Sequence, residues 1–295
     1  MFNHGEKEYS GLSLALGFFD GVHIAHKEVI LNAVDFARKN NGKSAVITFN
    51  NHPTELLGRN VEYINTSQER DDIIKSFGVD YVFSLDFDEK LLNTTCDEYL
   101  QILVEKFAPI SITTGFNHTF GKSGSGNPEF LEQNQHKYGY KYFQIPPMLI
   151  DGEVVSSSLI RKKLLSGDVI GANKLLGREF FIGGEVIKGN QIGTKIGFPT
   201  ANISYPEKIV KLPFGVYSAN VEIDGITHKA ILNYGVKPTV NGGFTPVAEA
   251  HILEFDRDIY GEKIKIYVNH MIRGEKKFES LDALKNQIIK DIQAC

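Results

Sequence analysis

Residues 12–19, LSLALGFF, form a nearly unbroken apolar run, the pattern of a strand buried on both faces. HKEVILNAVDFARK (26–39) then changes period: Val29, Ala33 and Phe36 fall on one helical face, and Asn40-Asn41-Gly42 supplies a stop. SAVITFN (44–50) reads as the next strand. Thr66 with Glu69 makes a capping box before a helix that Gly78 ends, and VDYVFSL (79–85) is a third strand. A helix around Tyr99–Phe107 and a strand at ISITTG (110–115) continue the alternation. Strands alternating with helices of this length predict a parallel, doubly wound, Rossmann-like α/β sheet, whose ligands sit beyond the carboxyl ends of its strands.

The pattern changes near Gly177, after a helical stretch SSLIRKKLLSGDVIGANKLLG. From Phe180 onward short alternating runs follow one another, with Asp224-Gly225 as a hairpin signal between two of them. Only LDALKNQIIKDIQ reads as helix, with Leu284, Ile288 and Ile292 on one face and Ser280 as N-cap. The second half is therefore expected to be a small antiparallel β-barrel with a terminal helix. These patterns set two domains, 1–177 and 178–295.

Composition narrows the function classes. The 295 residues carry 42% hydrophobic and 23% charged residues and a net charge of −4, which argues against a nucleic-acid binder driven by phosphate neutralisation. Cys96 and Cys295 are far apart and lack metal-ligand spacing, as in a reducing compartment. The first ten residues lack a signal-peptide core and no run approaches membrane-spanning length, so a cytoplasmic chain without membrane contact is expected, taken here as a monomer.

Two stretches carry candidate chemistry. In GFFDGVHIAH (17–26), His23 and His26 lie three apart at a strand-to-helix turn. There both imidazoles and the first helical N–H groups can face one anion, and Gly17 and Gly21 give backbone freedom. In KGNQIGTKIGFPTANI (188–203), Gly189 and Gly193 allow a loop whose N–H groups lie over phosphates. Gly197-Phe198-Pro199 then sets a turn that presents Thr200 and Asn202, hard oxygen ligands suited to Mg²⁺ with a nucleotide. In VAEAHILEF, Glu249 and His251 share one face of an alternating strand.

GFFDGVHIAH resembles the G-x-F-D-G-x-H-x-G-H signature of the adenylyltransferase domain of bacterial bifunctional riboflavin kinase/FAD synthetases. TGFNHTFGKSGSGN (114–127) and VSSSLIR (155–161) resemble that domain's next two motifs, in order. GFPTAN (197–202) is identical to the riboflavin kinase motif. PFGVYS, NYGVKPT, EAHILEFDRDIYG and MIRGEKKFES follow in the family's order, so the resemblance covers nearly the whole chain.

The resemblance implies two reactions: riboflavin and ATP-Mg²⁺ give FMN in the second half, and FMN with ATP gives FAD and pyrophosphate in the first. It implies an ATP site at Gly17, Phe19, Asp20, Gly21, His23 and His26, with Ser157, Ser158 and Arg161 clamping the triphosphate. Asn117 would orient phosphate or flavin, with His118 and Phe120 on the flavin side. In the kinase half, Gly189, Gly193 and Lys195 would bind phosphate, Thr200 and Asn202 would hold Mg²⁺, and Glu249 would be general base. Arg273 would lie in a flavin-side loop. Ala25, His118 and Ser158 depart from the family's Gly, Phe and Thr, and Lys237 and Thr194 replace residues that are usually Arg and often basic. The first two departures fall in the adenylylating half. They leave as alternatives a single-activity riboflavin kinase, or a flavin-binding regulator without turnover.

Overall fold

A computed structural model describes residues 9–189, 192–238 and 244–295. Residues 190–191 of the second Gly-rich loop and Thr239 of the NYGVKPT motif lie outside them. The chain divides into two compact units, Met1–Ser157 and Ser158–Cys295.

The first unit is a five-stranded parallel sheet of order β3-β2-β1-β4-β5. Its elements are β1 (Leu12–Leu16), α1 (Ile24–Lys39), β2 (Lys43–Phe49), α2 (Ser67–Ser76), β3 (Tyr81–Leu85), α3 (Glu89–Asn93), α4 (Cys96–Phe107), β4 (Ser111–Gly115), α5 (Pro128–Tyr138) and β5 (Lys141–Ile145). Every residue of β1 is buried because helices cover both faces. Leu14 and Ile47 pack with Leu100, Phe107 and Leu131 on one side. Ala15 and Val46 pack with Ile30, Val34 and Ile74 on the other. Each face thus owns alternate residues of the same strands, which fixes the register. The strand order reverses between β1 and β4, the place where such sheets open a ligand crevice.

Several boundaries differ from expectation. The first strand ends at Leu16, because Phe19 turns the backbone to φ 58. The first helix starts at Ile24 rather than His26, because His23 caps it. A short α3 precedes α4, and α5 and β5 continue the alternation past residue 115. Asp151 (φ 52) and Gly152 (φ 82) close a hairpin between β6 (Leu149–Ile150) and β7 (Glu153–Val154). Asp-Gly at two left-handed positions is the same turn chemistry read at Asp224-Gly225.

The helical stretch before residue 177 is two helices, α6 (Ser157–Leu165) and α7 (Val169–Leu176), parted at Gly167 (φ 83). α7 groups with the second unit through Asn173, whose Nδ2 donates to Val268 O at 3.2 Å while its Oδ1 accepts from Phe180 N at 2.7 Å.

The second unit is a closed barrel of order β10-β11-β12-β9-β8-β13. Its strands are β8 (Phe180–Ile187), β9 (Ala201–Ser204), β10 (Gly215–Ile223), β11 (Ile226–Pro238), β12 (Phe244–Ile252) and β13 (Lys263–Gly274), with a short α8 (Ile192–Lys195) before β9 and α9 (Leu281–Gln293) at the end. Tyr217, Leu232, Tyr234, Ala248 and Ala250 are wholly buried, so alternate residues of β12, Glu249 among them, face away from the barrel core.

Arg273 is a strand residue of β13, not a loop residue as expected. Its Nε and Nη2 donate to Asp291 of α9 at 2.9–3.1 Å, and Gln287 donates to the same carboxylate at 2.9 Å. Asp291 is 1% exposed, so removing it leaves a partly buried guanidinium without its counter-charge. Asp291→Ala is expected to destabilise the barrel by about 3–5 kcal/mol, read as a lower urea midpoint of its unfolding transition. A loss under 1 kcal/mol would show that α9 is held by other contacts.

Candidate functional sites

The loop between β1 and α1 is built around its own glycines. A Cβ on Gly17 would meet the Phe19 ring at 2.8 Å, and one on Gly21 would meet Ile64 Cδ1 at 2.6 Å. Both glycines are thus required by packing within the loop, not only by approach of a ligand. Phe19 is 2% exposed and belongs to the core under α1, so its side chain anchors the loop. Val22 adopts φ 39, a conformation that a β-branched residue takes only when its surroundings impose it. The fixings are polar and buried. Asp20 Oδ1 accepts from Ile64 N at 2.9 Å, Thr48 Oγ1 donates to Phe18 O at 2.9 Å, and Ser157 Oγ donates to Asp20 O at 2.8 Å. Asp20 therefore turns its carboxylate inward. Thr48 was not singled out in the sequence; the signal is a hydroxyl inside the apolar run SAVITFN.

His23 is buried and caps α1, its Nδ1 accepting from His26 N at 3.2 Å. An acceptor Nδ1 puts the proton of the neutral ring on Nε2, which makes that atom a donor. The His26 ring stacks on it, 3.5 Å between centroids and 17° between planes. Two imidazoles at the start of a 16-residue helix thus share one place, where the helix dipole favours negative charge.

Asn117, His118 and Phe120 follow β4, the strand beside β1. Phe120 is 8% exposed and packs in the core, T-shaped against Phe130 at 5.9 Å. Asn117 is exposed and lines an open groove of about 360 Å³ with Phe116, His118, Thr119, Glu132 and Gln144. Gln144, at the end of β5, was also missed, having no motif around it. Ser158 and Arg161 fall in the second unit, where Arg161 Nη2 donates to Ser158 Oγ at 3.4 Å. The sequence-derived set is thus gathered at the ends of β1 and β4 together with Ser157, and Ser158 and Arg161 belong to the other unit.

In the barrel the register is decisive. Glu249 of β12 lies directly opposite Asn202 of β9 on one side and Asn233 of β11 on the other. Opposite residues of an antiparallel pair hold their Cβ atoms about 5 Å apart on one face. Asn202 is 7% exposed, and its Nδ2 lies 3.4 Å from Thr200 Oγ1. The same Nδ2 lies 3.4 Å from Thr200 O, which can only accept, so the amide nitrogen faces Thr200 in this arrangement. A Cβ on Gly189 would land 2.5 Å from that amide, and one on Gly193 would land 2.3 Å from Phe198 O. Gly189 and Gly193 therefore lie directly against the 198–202 segment that carries Thr200 and Asn202. Lys195 ends α8, exposed. Among the described residues no three His, Cys, Asp or Glu side chains could hold a metal ion together. A cation here would take the Thr200 hydroxyl and the Asn202 carbonyl with outside oxygens, a donor set that suits Mg²⁺.

The comparisons agree with this two-part layout. A family model described as FAD synthetase matches residues 5–159, and one described as riboflavin kinase matches residues 176–295. The chain is 34% identical to a bifunctional riboflavin kinase/FMN adenylyltransferase of Buchnera aphidicola, over 98% of this chain and 94% of that one. It is 33% identical to a protein of the same description from Bacillus subtilis, over 98% and 92%. A crystal structure from Streptococcus pneumoniae, described as a macrolide-efflux protein, matches with a TM-score of 0.87 and 31% identity over 96% of this chain and 93% of that one. No helix among the described residues of this chain is long and apolar enough to cross a membrane.

His118 Nε2 is buried with no hydrogen-bond partner among the described residues, and burial pushes the imidazole down from its ordinary 6.5 to about 4. Between those pH values the unfolded chain takes up a proton that the folded chain refuses, so stability falls as pH drops through the window. His118→Phe removes the unsatisfied nitrogen at nearly constant volume. It is expected to stabilise the first unit by about 1 kcal/mol at pH 7, and by more at pH 5. Thermal unfolding at both pH values reads this, and an unchanged pH dependence would contradict it.

Proposed function

The chain belongs to the family of bacterial bifunctional riboflavin kinases/FMN adenylyltransferases, and from that premise we propose that its two reactions run at two separate sites, one in each half. It is a transferase of flavin cofactor synthesis, using ATP to make FMN from riboflavin and FAD from FMN. The single observation that carries the reading of the kinase site is the register placing Glu249 opposite Asn202. The functional boundary near residue 177 is supported by the second family model, whose match begins at residue 176.

In the kinase half, the Gly189–Gly193 loop lies over the nucleotide phosphates, and Thr200 and Asn202 hold Mg²⁺-ATP. Bound there, Mg²⁺ supplies charge neutralisation at the phosphoryl oxygens. Glu249 takes the proton from the terminal ribityl hydroxyl as that oxygen attacks the γ-phosphorus and ADP leaves. Its place on a paired strand, one position across from the metal pair, supports this role. Arg273 stays committed to Asp291, so it acts on the flavin side by fixing α9.

In the adenylylating half the phosphate of FMN attacks the α-phosphorus of ATP and pyrophosphate departs, which requires placement and charge stabilisation but no protein nucleophile. His23 donates from Nε2, and with His26 and the first turn of α1 it binds the triphosphate. Asn117 reaches the acceptor from the end of β4. Ser158 and Arg161 are donors of the kind a triphosphate takes, the guanidinium binding phosphate as a two-pronged donor. Gly17, Phe19, Asp20 and Gly21 act by holding the loop's shape, and Phe120 by backing the His118 ring, 5.7 Å away. The free thiols of Cys96 and Cys295 support a cytoplasmic setting.

Glu249→Gln keeps the shape of the site and removes the base. It is expected to lower the rate of FMN formation by about 10²–10⁴-fold and to leave FAD formation from supplied FMN unchanged, both read by chromatographic separation of the flavins. Equal loss of both reactions in folded protein would contradict separate sites.

A further inference from the structure

His251 belongs to no motif role assigned above, yet it joins the two parts of the kinase site. It lies on β12 two positions beyond Glu249, and therefore on the same face of the strand. Its Nδ1 is 2.7 Å from Pro199 O. A carbonyl can only accept, so Nδ1 carries the proton and donates. The ring also meets Phe198 edge-to-face, 5.5 Å between centroids at 82°. Both partners sit in the 197–200 turn that delivers Thr200, and Gly197 holds φ 89 there. The β9–β12 ladder runs from Val247↔Ser204 to Ala250↔Ala201 and ends one residue short of Thr200. Past that point no strand pairing among the described residues ties the turn to the strand that bears the base.

We propose that His251 is a positioning residue for phosphoryl transfer: its Nδ1–H bond to Pro199 O and its packing on Phe198 extend the β9–β12 ladder by one step and hold Thr200 in register with Glu249. The inference rests on the kinase reading of this site. His251 touches neither nucleotide nor flavin; it acts through the turn. Loosening the turn weakens ATP-Mg²⁺ capture more than it slows the chemical step, because Glu249 stays on its own paired strand.

The test uses the full chain with four variants. His251→Phe keeps a ring against Phe198 and deletes the donor. His251→Asn restores an N–H near the Nδ1 position, whereas His251→Gln carries it farther out. Thr200→Ala serves as reference. The KM for ATP at fixed Mg²⁺ and the kcat of FMN formation are measured, with the thermal unfolding transition of the barrel as a check on folding. His251→Phe is expected to raise this KM roughly 2–10-fold, the worth of one hydrogen bond, with kcat changed less. Asn should recover most of the effect and Gln should not. An unchanged KM in His251→Phe beside a raised one in Thr200→Ala overturns the role of His251 alone. An unchanged KM in both overturns the Thr200–Asn202 site as well. Should His251→Phe fail to fold, the Asn and Gln pair decides, and equal behaviour of those two overturns the proposal.

Discussion

The antiparallel pairing of β9 with β12 is the constraint on which the kinase half depends. It sets Glu249 directly opposite Asn202 across the ladder. A shift of one residue would send Glu249 to the core face and bring Ala248 or Ala250 out. Those two alanines are wholly buried, so the barrel's packing defends the register that the chemistry needs. The same logic holds at β1, where alternate residues belong to two different cores and the strand cannot slide without emptying both.

Both sites share a device. Each places a Gly-rich segment after a strand and packs that segment against side chains that a Cβ would strike. In the first half the segment packs on Phe19 and Ile64 and ends in the His23 cap. In the second it packs on the amide of Asn202. The fold alone thus already requires glycine at these positions.

Much of this was legible in the sequence because period and turn chemistry report directly on burial. The apolar run of β1, the Thr66–Glu69 capping box and the alternating barrel strands all follow from local pattern. The Asp151-Gly152 hairpin carries the same turn signal, but its strands are only two residues long and show no alternating pattern around it. Other features depend on partners distant in sequence. Nothing near Asp20 announces that its carboxylate serves Ile64, 44 residues on. Nothing near Arg273 points to Asp291, and only the register reveals that Glu249 and Asn202 meet. His23 and His26 were read as a pair from their spacing; that one caps the helix through the other's N–H needed the backbone.

The central claim is that each half binds its own nucleotide. Equilibrium binding of a non-hydrolysable ATP analogue with Mg²⁺ to the full chain tests it most directly, in wild type and in a Thr200→Ala/Asn202→Ala variant. The account predicts two analogue molecules per wild-type chain and one per variant chain, with the remaining molecule lost on His23→Ala/His26→Ala substitution. A single molecule per wild-type chain, or retention of both in the variant, would contradict it.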